Sequence, residues 1–315
     1  MAHTILALAD LTHEQTKSLS ERDFIILSPI DIQEKDYASI EIMYGWEPIL
    51  GQKILSTPNH KLQWIQSISA GVDYFPLQQL KDANIILTNA SGLKSVPIAQ
   101  SVLGYILYFA RGLDYYNKQQ SWQTMLDQYS IAELPTLIFG TGQIGQEIAR
   151  QLKALGGTVY GVNSTGHPAN NFDKTFALNN YQDALNQVQT IVNVLPSTNE
   201  TEAFFNQAFF AQLDQAFLYI NVGRGTTTDA SALLSALDQH QVRHAALDVT
   251  TPEPLPADSP LWNHPQLLLT QHTSWVEHNA QTPASNLFDI FEQNISNYLT
   301  GQPLTINVVN LAKGY

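Results

Sequence analysis

Short apolar or β-branched runs alternate with longer segments of mixed polarity along nearly the whole chain. In the N-terminal third, these runs predict strands at Thr4–Leu8, Phe24–Leu27, Ile40–Tyr44, Trp64–Ser67 and Ile85–Thr88. The segments between them are long enough for helices, and this spacing is typical of βαβ units with a parallel sheet. The pattern therefore predicts an α/β domain at the start of the chain.

A helix separates this first series of strands from a second one. Apolar residues recur at helical spacing over about Val96–Gln120, which predicts one long helix. The strands predicted beyond it are Thr136–Phe139, Thr158–Val162, Ile191–Val194, Phe217–Asn221, Ala245–Val249 and Leu267–Thr270. A last apolar stripe over Leu287–Leu299 predicts a final helix that Gly301 and Pro303 terminate.

This order of elements predicts an α/β fold with two doubly wound parallel-sheet domains, the second inserted in the chain of the first. A length of 315 residues, 44% of them apolar, is enough for two buried cores. We expect residues 1–95 and 283–315 to form one domain and residues 96–282 to form the other.

The composition narrows the range of partners. The formal net charge is −13 and the chain has no run of Lys or Arg, so it should repel nucleic-acid phosphates and anionic lipid headgroups. The absence of cysteine excludes disulfide scaffolds, thiolate nucleophiles and Cys-ligated zinc, and the histidines show no metal-ligand spacing. The N-terminal segment has no basic lead, and no apolar run reaches about 20 residues, so we expect a cytoplasmic protein.

The most informative local motif is a glycine-rich turn with Gly140, Gly142 and Gly145, placed between a predicted strand and a predicted helix. The first glycine allows a tight turn, the second lets a pyrophosphate approach the backbone, and the third lets the helix pack closely on the strand. The N–H groups and the dipole of the helix then bind the anion. The alternative is a connection without a ligand, but the strand–turn–helix context favours a dinucleotide-binding Rossmann domain.

The next predicted strand bears on the choice of cofactor. NAD enzymes usually have an acidic residue at its end, which binds the ribose 2′-hydroxyl. This chain has Asn163, Ser164 and Thr165 there, so no carboxylate would repel a 2′-phosphate. No arginine is present for that phosphate either. The sequence leaves both NADP and NAD open and favours NADP.

Three chemically useful side chains follow the last three predicted strands: Arg224, Glu253 and His272. Ligands of open α/β sheets bind beyond the carboxyl ends of the strands, so these residues are predicted to share one edge. Singly, each has an ordinary alternative: a cation that caps a carbonyl, a solvated loop carboxylate and a packed histidine. Together they favour a common site.

This set suits the reduction of a 2-oxo acid. Arg224 can bind the substrate carboxylate with two donors of its planar guanidinium. His272 can donate or accept the proton of the hydroxyl, because a free imidazole titrates near pH ~6.5. Glu253 would orient the ring and favour its protonated form.

The chain resembles the D-isomer-specific 2-hydroxyacid dehydrogenase family over almost its full length. Many ordered matches make the resemblance specific, whereas the glycine turn alone would be a weak signal. The matching stretches are Ser69–Asp73, Asn89–Gly92, Pro97–Gln100, Gly140–Gly145, Asn193–Pro196, Ile220–Gly225, Ala246–Val249, Glu253–Pro256, Leu261–Trp262 and His272–Trp275.

The resemblance implies a role for each domain and for the matching residues. Residues 1–95 with 283–315 would be a flavodoxin-like substrate domain, and residues 96–282 would be the Rossmann cofactor domain, with the cleft at their junction. Arg224 would bind substrate together with the backbone N–H groups of Ala70, Gly71 and Val72, while Glu253 and His272 would complete the catalytic set. The residues expected to bind the cofactor are Gly140, Gly142, Gln143, Ile144, Gly145, Asn163, Ser164, Thr165, Leu195, Pro196, Val222 and Asp248. The helix after Val96 resembles the family's dimerisation arm, which implies a homodimer.

The sequence departs from the family's pattern without losing a catalytic group. Gln100 stands where the family often has Glu, and Gln271 stands where Pro often precedes the histidine. Asn163, in place of the acidic residue, is the departure that puts a preference for NAD in doubt.

The substrate is expected to be small and unphosphorylated. The chain resembles glyoxylate/hydroxypyruvate reductase-like members, and Lys94 is the only basic residue besides Arg224 in the substrate motifs. The alternative substrate is 3-phosphohydroxypyruvate, as in a phosphoglycerate dehydrogenase without a regulatory domain.

Two other classes of protein stay open: a scaffold that senses a dinucleotide without turnover, and an S-adenosylmethionine enzyme. Neither of them gives Arg224, Glu253 and His272 a shared task.

Overall fold

The computed structural model describes residues 2–124, 127–275 and 283–315, without the side chains of 283–286. The strands are β1 (His3–Ala7), β2 (Phe24–Leu27), β3 (Ile42–Tyr44), β4 (Trp64–Gln66), β5 (Ile86–Thr88), β6 (Thr136–Phe139), β7 (Val159–Asn163), β8 (Lys174–Ala177), β9 (Thr190–Asn193), β10 (Ala216–Asn221), β11 (Val242–Leu247) and β12 (Leu267–Leu269). The α-helices are α1 (His13–Ser20), α2 (Pro48–Leu55), α3 (Leu77–Asp82), α4 (Ser95–Ala110), α5 (Leu113–Tyr116), α6 (Gln143–Ala154), α7 (Gln182–Leu185), α8 (Gln207–Phe210), α9 (Ala230–Asp238) and α10 (Pro283–Leu299). Within these residues, every helix is too short or too polar to span a lipid bilayer.

The chain divides into two compact units, one of Met1–Leu93 with Glu277–Tyr315 and one of Lys94–Val276. The first contains a parallel sheet in the order β2-β1-β3-β4-β5, and the second contains a parallel sheet in the order β12-β11-β10-β9-β6-β7-β8. The first order is that of flavodoxin-like sheets, and the second extends the Rossmann order by one strand. The predicted fold of two doubly wound α/β domains is confirmed.

The C-terminal helix α10 completes the core of the first unit. The ring of Phe291 lies 4.7 Å from Tyr44 and 4.7 Å from Trp64, which come from strands β3 and β4. An ion pair between Arg22 and Glu292 joins α10 to the region before β2 at the surface. The end of the chain therefore returns to the N-terminal sheet, as the order of elements predicts.

The sheet of the second unit is covered on both faces, so its central strands are buried along their whole length. All residues of β9 and β10 are buried. One core cluster includes Phe209 and Leu233 from α8 and α9, and the other includes Val102 and Ile148 from α4 and α6. Continuous apolar runs are what a parallel sheet between two helical layers requires.

Besides small shifts of strand ends, two elements differ from the sequence prediction. The single helix over Val96–Gln120 is wrong, because α4 ends at Ala110 and Gly112 adopts a left-handed backbone with φ +65° before the short α5. A left-handed glycine is a common helix stop. The edge strand β8 was missed by the sequence reading, since only four residues form it and its first residue, Lys174, is exposed.

Candidate active site

The glycine turn after β6 has the geometry that its spacing predicts. Gly140 adopts φ +104°, which favours glycine, and a Cβ on Gly145 would lie 2.0 Å from the carbonyl oxygen of Gly140. The helix α6 can therefore pack against the turn only because Gly145 has no side chain. A Cβ on Gly142 would meet no heavy atom of the described residues within 4 Å, so there is room for a ligand above this position.

The N-terminus of α6 fits the anionic part of a dinucleotide. Gly142 is the residue that precedes the helix and has no side chain to cap the first N–H groups, whereas Asn206 and Asp229 cap α8 and α9 through their side chains. Gln143 is exposed and Ile144 is half-buried at the start of α6. A pyrophosphate at this position would satisfy the uncapped N–H groups and interact favourably with the helix dipole.

Asn163, at the end of β7, organises the loop that follows it. Its side-chain oxygen accepts hydrogen bonds from the backbone N–H groups of Thr165 and Gly166, at 3.2 and 2.7 Å. Its amide nitrogen donates to Thr141 Oγ1 at 3.1 Å and to the carbonyl of His167 at 2.9 Å. This amide therefore ties the loop to the glycine turn, while the neighbouring Ser164 and Thr165 are exposed.

A buried asparagine at the end of β9 shapes the segment predicted to line the adenine pocket. Asn193 Oδ1 accepts a hydrogen bond from the N–H of Leu195 at 2.9 Å, and its Nδ2 donates to Thr227 Oγ1 at 2.7 Å. The carbonyl of Pro196 accepts from Thr201 Oγ1 at 2.6 Å. Leu195 and Pro196 thus lie on a turn with a fixed backbone, next to the glycine turn in the strand order.

Asn221 has the same position at the end of β10. Its Oδ1 accepts from the N–H of Gly223 at 2.9 Å, and its Nδ2 donates to the carbonyl of Arg224 at 3.0 Å. Val222, between them, is 7% exposed. These bonds fix the backbone of the short segment that carries the guanidinium.

The glycines beside Arg224 allow neighbouring loops to touch. A Cβ on Gly223 would lie 2.6 Å from the carbonyl oxygen of Leu195, and a Cβ on Gly225 would lie 1.9 Å from that of Thr250. The segment with Arg224 is therefore packed between the loop that follows β9 and the loop that follows β11. The side chain of Arg224 is half-buried, and its guanidinium donates a hydrogen bond to the carbonyl of Gly223 at 3.0 Å.

Glu253 and His272 form a direct pair. His272 Nδ1 lies 2.9 Å from Glu253 Oε2, and Glu253 Oε1 accepts a hydrogen bond from the N–H of Thr250 at 2.9 Å. A carboxylate is only an acceptor, so Nδ1 is the donor in this contact. The imidazole is 55% exposed and the carboxylate 38%, so the pair is open to a ligand.

A buried carboxylate holds the loop on which His272 lies. Asp248 is 3% exposed, and its carbonyl accepts from the N–H of His272 at 2.6 Å. Its carboxylate accepts from the N–H groups of Thr273 and Ser274, at 2.8 and 3.1 Å, and from Thr270 Oγ1 at 2.7 Å. The contact of Asp248 with a nicotinamide carboxamide stays a prediction, and its structural contacts are with the histidine loop.

The three predicted catalytic residues come from neighbouring strands. Arg224, Glu253 and His272 follow β10, β11 and β12, which are adjacent and parallel, so all three emerge at one edge of the sheet. The structure brings the carboxylate and the imidazole into contact and packs Gly225, next to the arginine, against Thr250.

In the first unit, the turn after β4 has its carbonyl groups fixed. The carbonyl of Ser69 accepts a hydrogen bond from the N–H of Ala90 at 3.0 Å, and that of Ala70 accepts one from Asn89 Nδ2 at 2.9 Å. The carbonyl of Gly71 accepts from Ser69 Oγ at 2.7 Å. In a trans peptide, the C=O and the following N–H point in opposite directions. The N–H groups of Ala70, Gly71 and Val72 are therefore directed away from these partners.

The sequence reading missed the polar residues that position the site. Asn193 and Asn221 are completely buried, and each is the last residue of an apolar strand. Tyr105, within the apolar stripe of α4, lies 3.0 Å from Thr270 Oγ1 and 3.1 Å from Ser274 Oγ. The signal for the asparagines was a polar residue at the end of an apolar run, but Tyr105 gave none, because a tyrosine on an apolar face is ordinarily a core residue.

A Rossmann sheet with an open turn for pyrophosphate, and a carboxylate-bound imidazole at the same edge, define an NAD(P)-dependent dehydrogenase. The sequence model of the family described as "D-isomer specific 2-hydroxyacid dehydrogenase, NAD binding domain" matches residues 103–274, more than half of the chain. The chain belongs to the D-isomer-specific 2-hydroxyacid dehydrogenase family, as its motifs predicted.

Known proteins of this family match the chain over nearly its full length. Glyoxylate/hydroxypyruvate reductase A of Salmonella heidelberg (strain SL476) is 27% identical over 293 residues, which cover 90% of this chain and 89% of that protein. The crystal structure of phosphoglycerate dehydrogenase from Lactobacillus plantarum is 38% identical, with a TM-score of 0.59 and coverage of 98% and 100%. The NADPH-dependent glyoxylate/hydroxypyruvate reductase of Sinorhizobium meliloti, solved with NADP and sulfate, is 26% identical, with a TM-score of 0.82 and coverage of 100% of both chains.

Proposed function

We propose that this dehydrogenase reduces a small, unphosphorylated 2-oxo acid, such as glyoxylate or hydroxypyruvate, to the D-2-hydroxy acid with NADPH or NADH. The observation that carries this proposal is the 2.9 Å contact between Glu253 and Nδ1 of His272 at the carboxyl edge of the cofactor sheet. The similarity to glyoxylate/hydroxypyruvate reductases over 90% of the chain supports it.

His272 is the proposed acid/base residue. Because Glu253 accepts the Nδ1 proton, the Nε2 proton of the cationic imidazole is the one that can be transferred to the substrate. A bound reduced nicotinamide supplies the hydride for this reaction. As the carbonyl oxygen of the substrate gains negative charge, His272 donates the Nε2 proton to it, and the carboxylate of Glu253 stabilises and orients the cationic ring that this requires.

The substrate carboxylate needs cationic and N–H donors. We propose that Arg224 binds it through the guanidinium and that the N–H groups of Ala70, Gly71 and Val72 also bind it. The fixed carbonyls of the turn after β4 support the second assignment, since they set the direction of these N–H groups.

The cofactor is proposed to lie along the carboxyl edge of the second sheet. Gly140, Gly142, Gln143, Ile144 and Gly145 would hold the pyrophosphate at the start of α6, where a Cβ on Gly142 would meet open space. Leu195, Pro196 and Val222 would line the adenine and nicotinamide positions, and Asp248 would contact the carboxamide.

NADP is the proposed preference over NAD. The exposed hydroxyls of Ser164 and Thr165 can donate to a 2′-phosphate, and His167, in the same loop, can add a positive charge when protonated. Asn163 is neutral and its amide is engaged by the loop itself, so it offers no carboxylate to bind a 2′-hydroxyl in the manner of NAD enzymes.

A homodimer is also proposed, through the region after Val96. Large apolar side chains are exposed there: Val96 is 49% exposed, Leu113 50% and Trp122 97%. Light scattering coupled to size-exclusion chromatography should give twice the chain mass of 35.0 kDa. A mass of one chain at micromolar concentration would rule this assembly out.

The substrate class is tested by following the absorbance of the reduced nicotinamide with a panel of oxo acids. We expect turnover with glyoxylate and hydroxypyruvate and much weaker turnover with 3-phosphohydroxypyruvate. The opposite order would identify the phosphoglycerate dehydrogenase activity that the 38% identical relative carries in its name. Binding of cofactor without turnover of any 2-oxo acid would indicate the sensing scaffold instead.

The role of Arg224 is tested by Arg224→Lys, which keeps the charge but loses the two-donor fork. We expect the KM for the oxo acid to rise about tenfold or more, because lysine cannot bind a carboxylate with two parallel hydrogen bonds. The Kd for NADPH, measured by nicotinamide fluorescence, should change little. An unchanged KM would show that the carboxylate binds elsewhere.

A further inference from the structure

A buried hydroxyl lies beneath the loop that carries His272. Tyr105, on α4, is 9% exposed, and its phenol oxygen lies 3.0 Å from Thr270 Oγ1 and 3.1 Å from Ser274 Oγ. These two residues stand two positions before and two positions after His272. One phenol therefore contacts both sides of the histidine loop.

The hydrogen bonds of this cluster have a defined direction. Thr270 has one hydroxyl proton, and its oxygen lies 2.7 Å from Oδ1 of Asp248, which as a carboxylate can only accept. The phenol of Tyr105 must then donate to Thr270, and the hydroxyl of Ser274 donates to the phenol. The chain from Ser274 through Tyr105 and Thr270 thus ends on the charge of Asp248, and each bond polarises the next.

The phenol also keeps its proton. Burial raises the pKa of Tyr105, and the nearby charge of Asp248 acts in the same direction, although the hydrogen bonds with Ser274, Thr270 and Ser101 act against it. Tyr105 can therefore act as a donor to Thr270 over the whole pH range in which the enzyme is expected to work.

The histidine loop needs external support. His272 has a backbone φ of +56°, in the left-handed region that few residues other than glycine adopt, although histidine does so more often than most. Such a conformation persists only where the surroundings over-determine it. Asp248 supplies one set of contacts, through its carbonyl to the N–H of His272 at 2.6 Å and through its carboxylate to the N–H of Thr273 at 2.8 Å.

Tyr105 connects this loop to a rigid element. On the same helix, Val102 and Ile106 are completely or almost completely buried and belong to a core cluster with residues of the sheet. A helix packed in this way moves little, so the phenol provides a fixed point for both flanks of His272.

We propose that Tyr105 is a positioning residue for the reaction: through Thr270, Ser274 and Asp248 it holds the His272 loop in the conformation in which the imidazole meets Glu253 and presents Nε2 to the substrate. This inference rests on the proposed acid/base role of His272. Tyr105 itself touches neither substrate nor cofactor in this assignment.

The test is Tyr105→Phe, which removes only the hydroxyl. We expect kcat with glyoxylate or hydroxypyruvate to fall about tenfold, because a misaligned acid lowers the rate of the chemical step. The Kd for NADPH should stay within about twofold, since the glycine turn is untouched. The primary isotope effect on kcat with 4-deuterated NADPH should increase, because chemistry then limits turnover more fully.

Matched variants separate positioning from general stability. Tyr108→Phe makes the same chemical change on the same helix and should leave kcat and the isotope effect as in the wild type. Thr270→Ser keeps the hydroxyl of the chain and should retain activity, whereas Thr270→Val, of the same shape as threonine, should reproduce the loss seen in Tyr105→Phe. The Thr270 pair decides the question if Tyr105→Phe does not fold.

The outcomes are distinct. Loss of kcat with a larger isotope effect in Tyr105→Phe and Thr270→Val, but not in Thr270→Ser, supports the proposal. If the two Thr270 variants are equally active, the role of Tyr105 is overturned and the proposed function stays intact. The same conclusion follows if Tyr105→Phe has the wild-type kcat while His272→Gln is inactive. Wild-type turnover in His272→Gln overturns the proposed acid/base assignment, and the role of Tyr105 falls with it.

Discussion

Single polar side chains at the ends of apolar strands determine the shape of the site. Asn193, Asn221 and Asp248 are buried. Each asparagine accepts a hydrogen bond from a backbone N–H in the loop beyond its own strand, whereas Asp248, after β11, accepts one from Thr273 in the loop beyond β12. A buried polar group without such a partner would be costly, so each of these residues is stable only with its loop in one conformation. The loops that carry Arg224 and His272 are thereby held in place.

His244, on β11, is a half-buried titratable residue outside the site. Its ring stacks on Phe109 at 4.6 Å and packs edge-on against Phe217 at 5.4 Å. Burial lowers the pKa of His244; the carboxylate of Asp114 opposes this shift, and the cation of Arg243 adds to it. The folded chain therefore keeps this imidazole neutral at pH values where the unfolded chain protonates it.

This predicts a loss of stability in mild acid. Because the folded-state pKa is depressed, the stability is complete above the unfolded pKa of about 6.5 and falls as the pH drops from there towards the folded pKa. In His244→Gln the decrease in free energy of unfolding between about pH 7 and pH 5 should be smaller by about 1 kcal/mol. Urea unfolding at several pH values measures it, with His13→Gln, which removes an exposed histidine, as the control. An identical pH slope in His244→Gln and wild type would contradict the assignment.

At the scale of elements, the turn between β6 and α6 assigns different tasks to its glycines. Gly145 is required for packing, since a Cβ would lie 2.0 Å from the carbonyl oxygen of Gly140, whereas a Cβ on Gly142 would meet nothing among the described residues within 4 Å. Gly142 also has a backbone conformation, φ −74° and ψ −163°, that alanine adopts readily.

The two substitutions should therefore separate stability from binding. Gly145→Ala should lower the free energy of unfolding by about 1–3 kcal/mol, because backbone atoms must move to accommodate the methyl group. Gly142→Ala should unfold like the wild type in urea but raise the Kd for NADPH about tenfold or more, because its methyl group would occupy the space assigned to the pyrophosphate. Loss of stability in Gly142→Ala with unchanged binding would contradict the placement of the cofactor.

The sequence predicted best those elements that an unbroken apolar run determines. Strands β2 and β6 have the predicted bounds, because each is an unbroken apolar or β-branched run. All residues of β6 are buried, whereas Ile25 in the edge strand β2 is 51% exposed. Strand β8 escaped prediction because an exposed edge strand of four residues has no such run. The break at Gly112 escaped it because helical spacing continues into Leu113, which is 50% exposed in the structure.

In the site, too, some features followed from the sequence pattern and others did not. The types of the catalytic residues, and the strands that they follow, could be predicted because the carboxyl ends of parallel strands share one edge. In the structure Glu253 Oε2 lies 2.9 Å from His272 Nδ1, and the catalytic roles of the two residues stay predictions. The partners of Tyr105 and Asp248 could not be predicted, because they depend on side-chain directions across α4, β11 and the loop after β12.

For the whole molecule, cofactor binding should be visible as added stability. A ligand that binds only the folded state stabilises it by about 2.7 kcal/mol at a concentration of 100 times its Kd. At equal concentrations, NADPH should raise the Tm more than NADH, because the loop after β7 offers hydroxyls and no carboxylate to the ribose. A larger shift with NADH would contradict the proposed preference and would leave the dehydrogenase assignment unaffected.

His272, bound to Glu253, is proposed to transfer the proton when the chain reduces a 2-oxo acid. The most direct measurement is the rate of NADPH oxidation by His272→Gln with glyoxylate or hydroxypyruvate, together with the Kd for NADPH from nicotinamide fluorescence. We predict that kcat falls by roughly 10²–10⁴-fold, the usual contribution of acid/base catalysis, while the Kd stays close to that of the wild type. A variant that binds NADPH normally and oxidises it at the wild-type rate would contradict the claim.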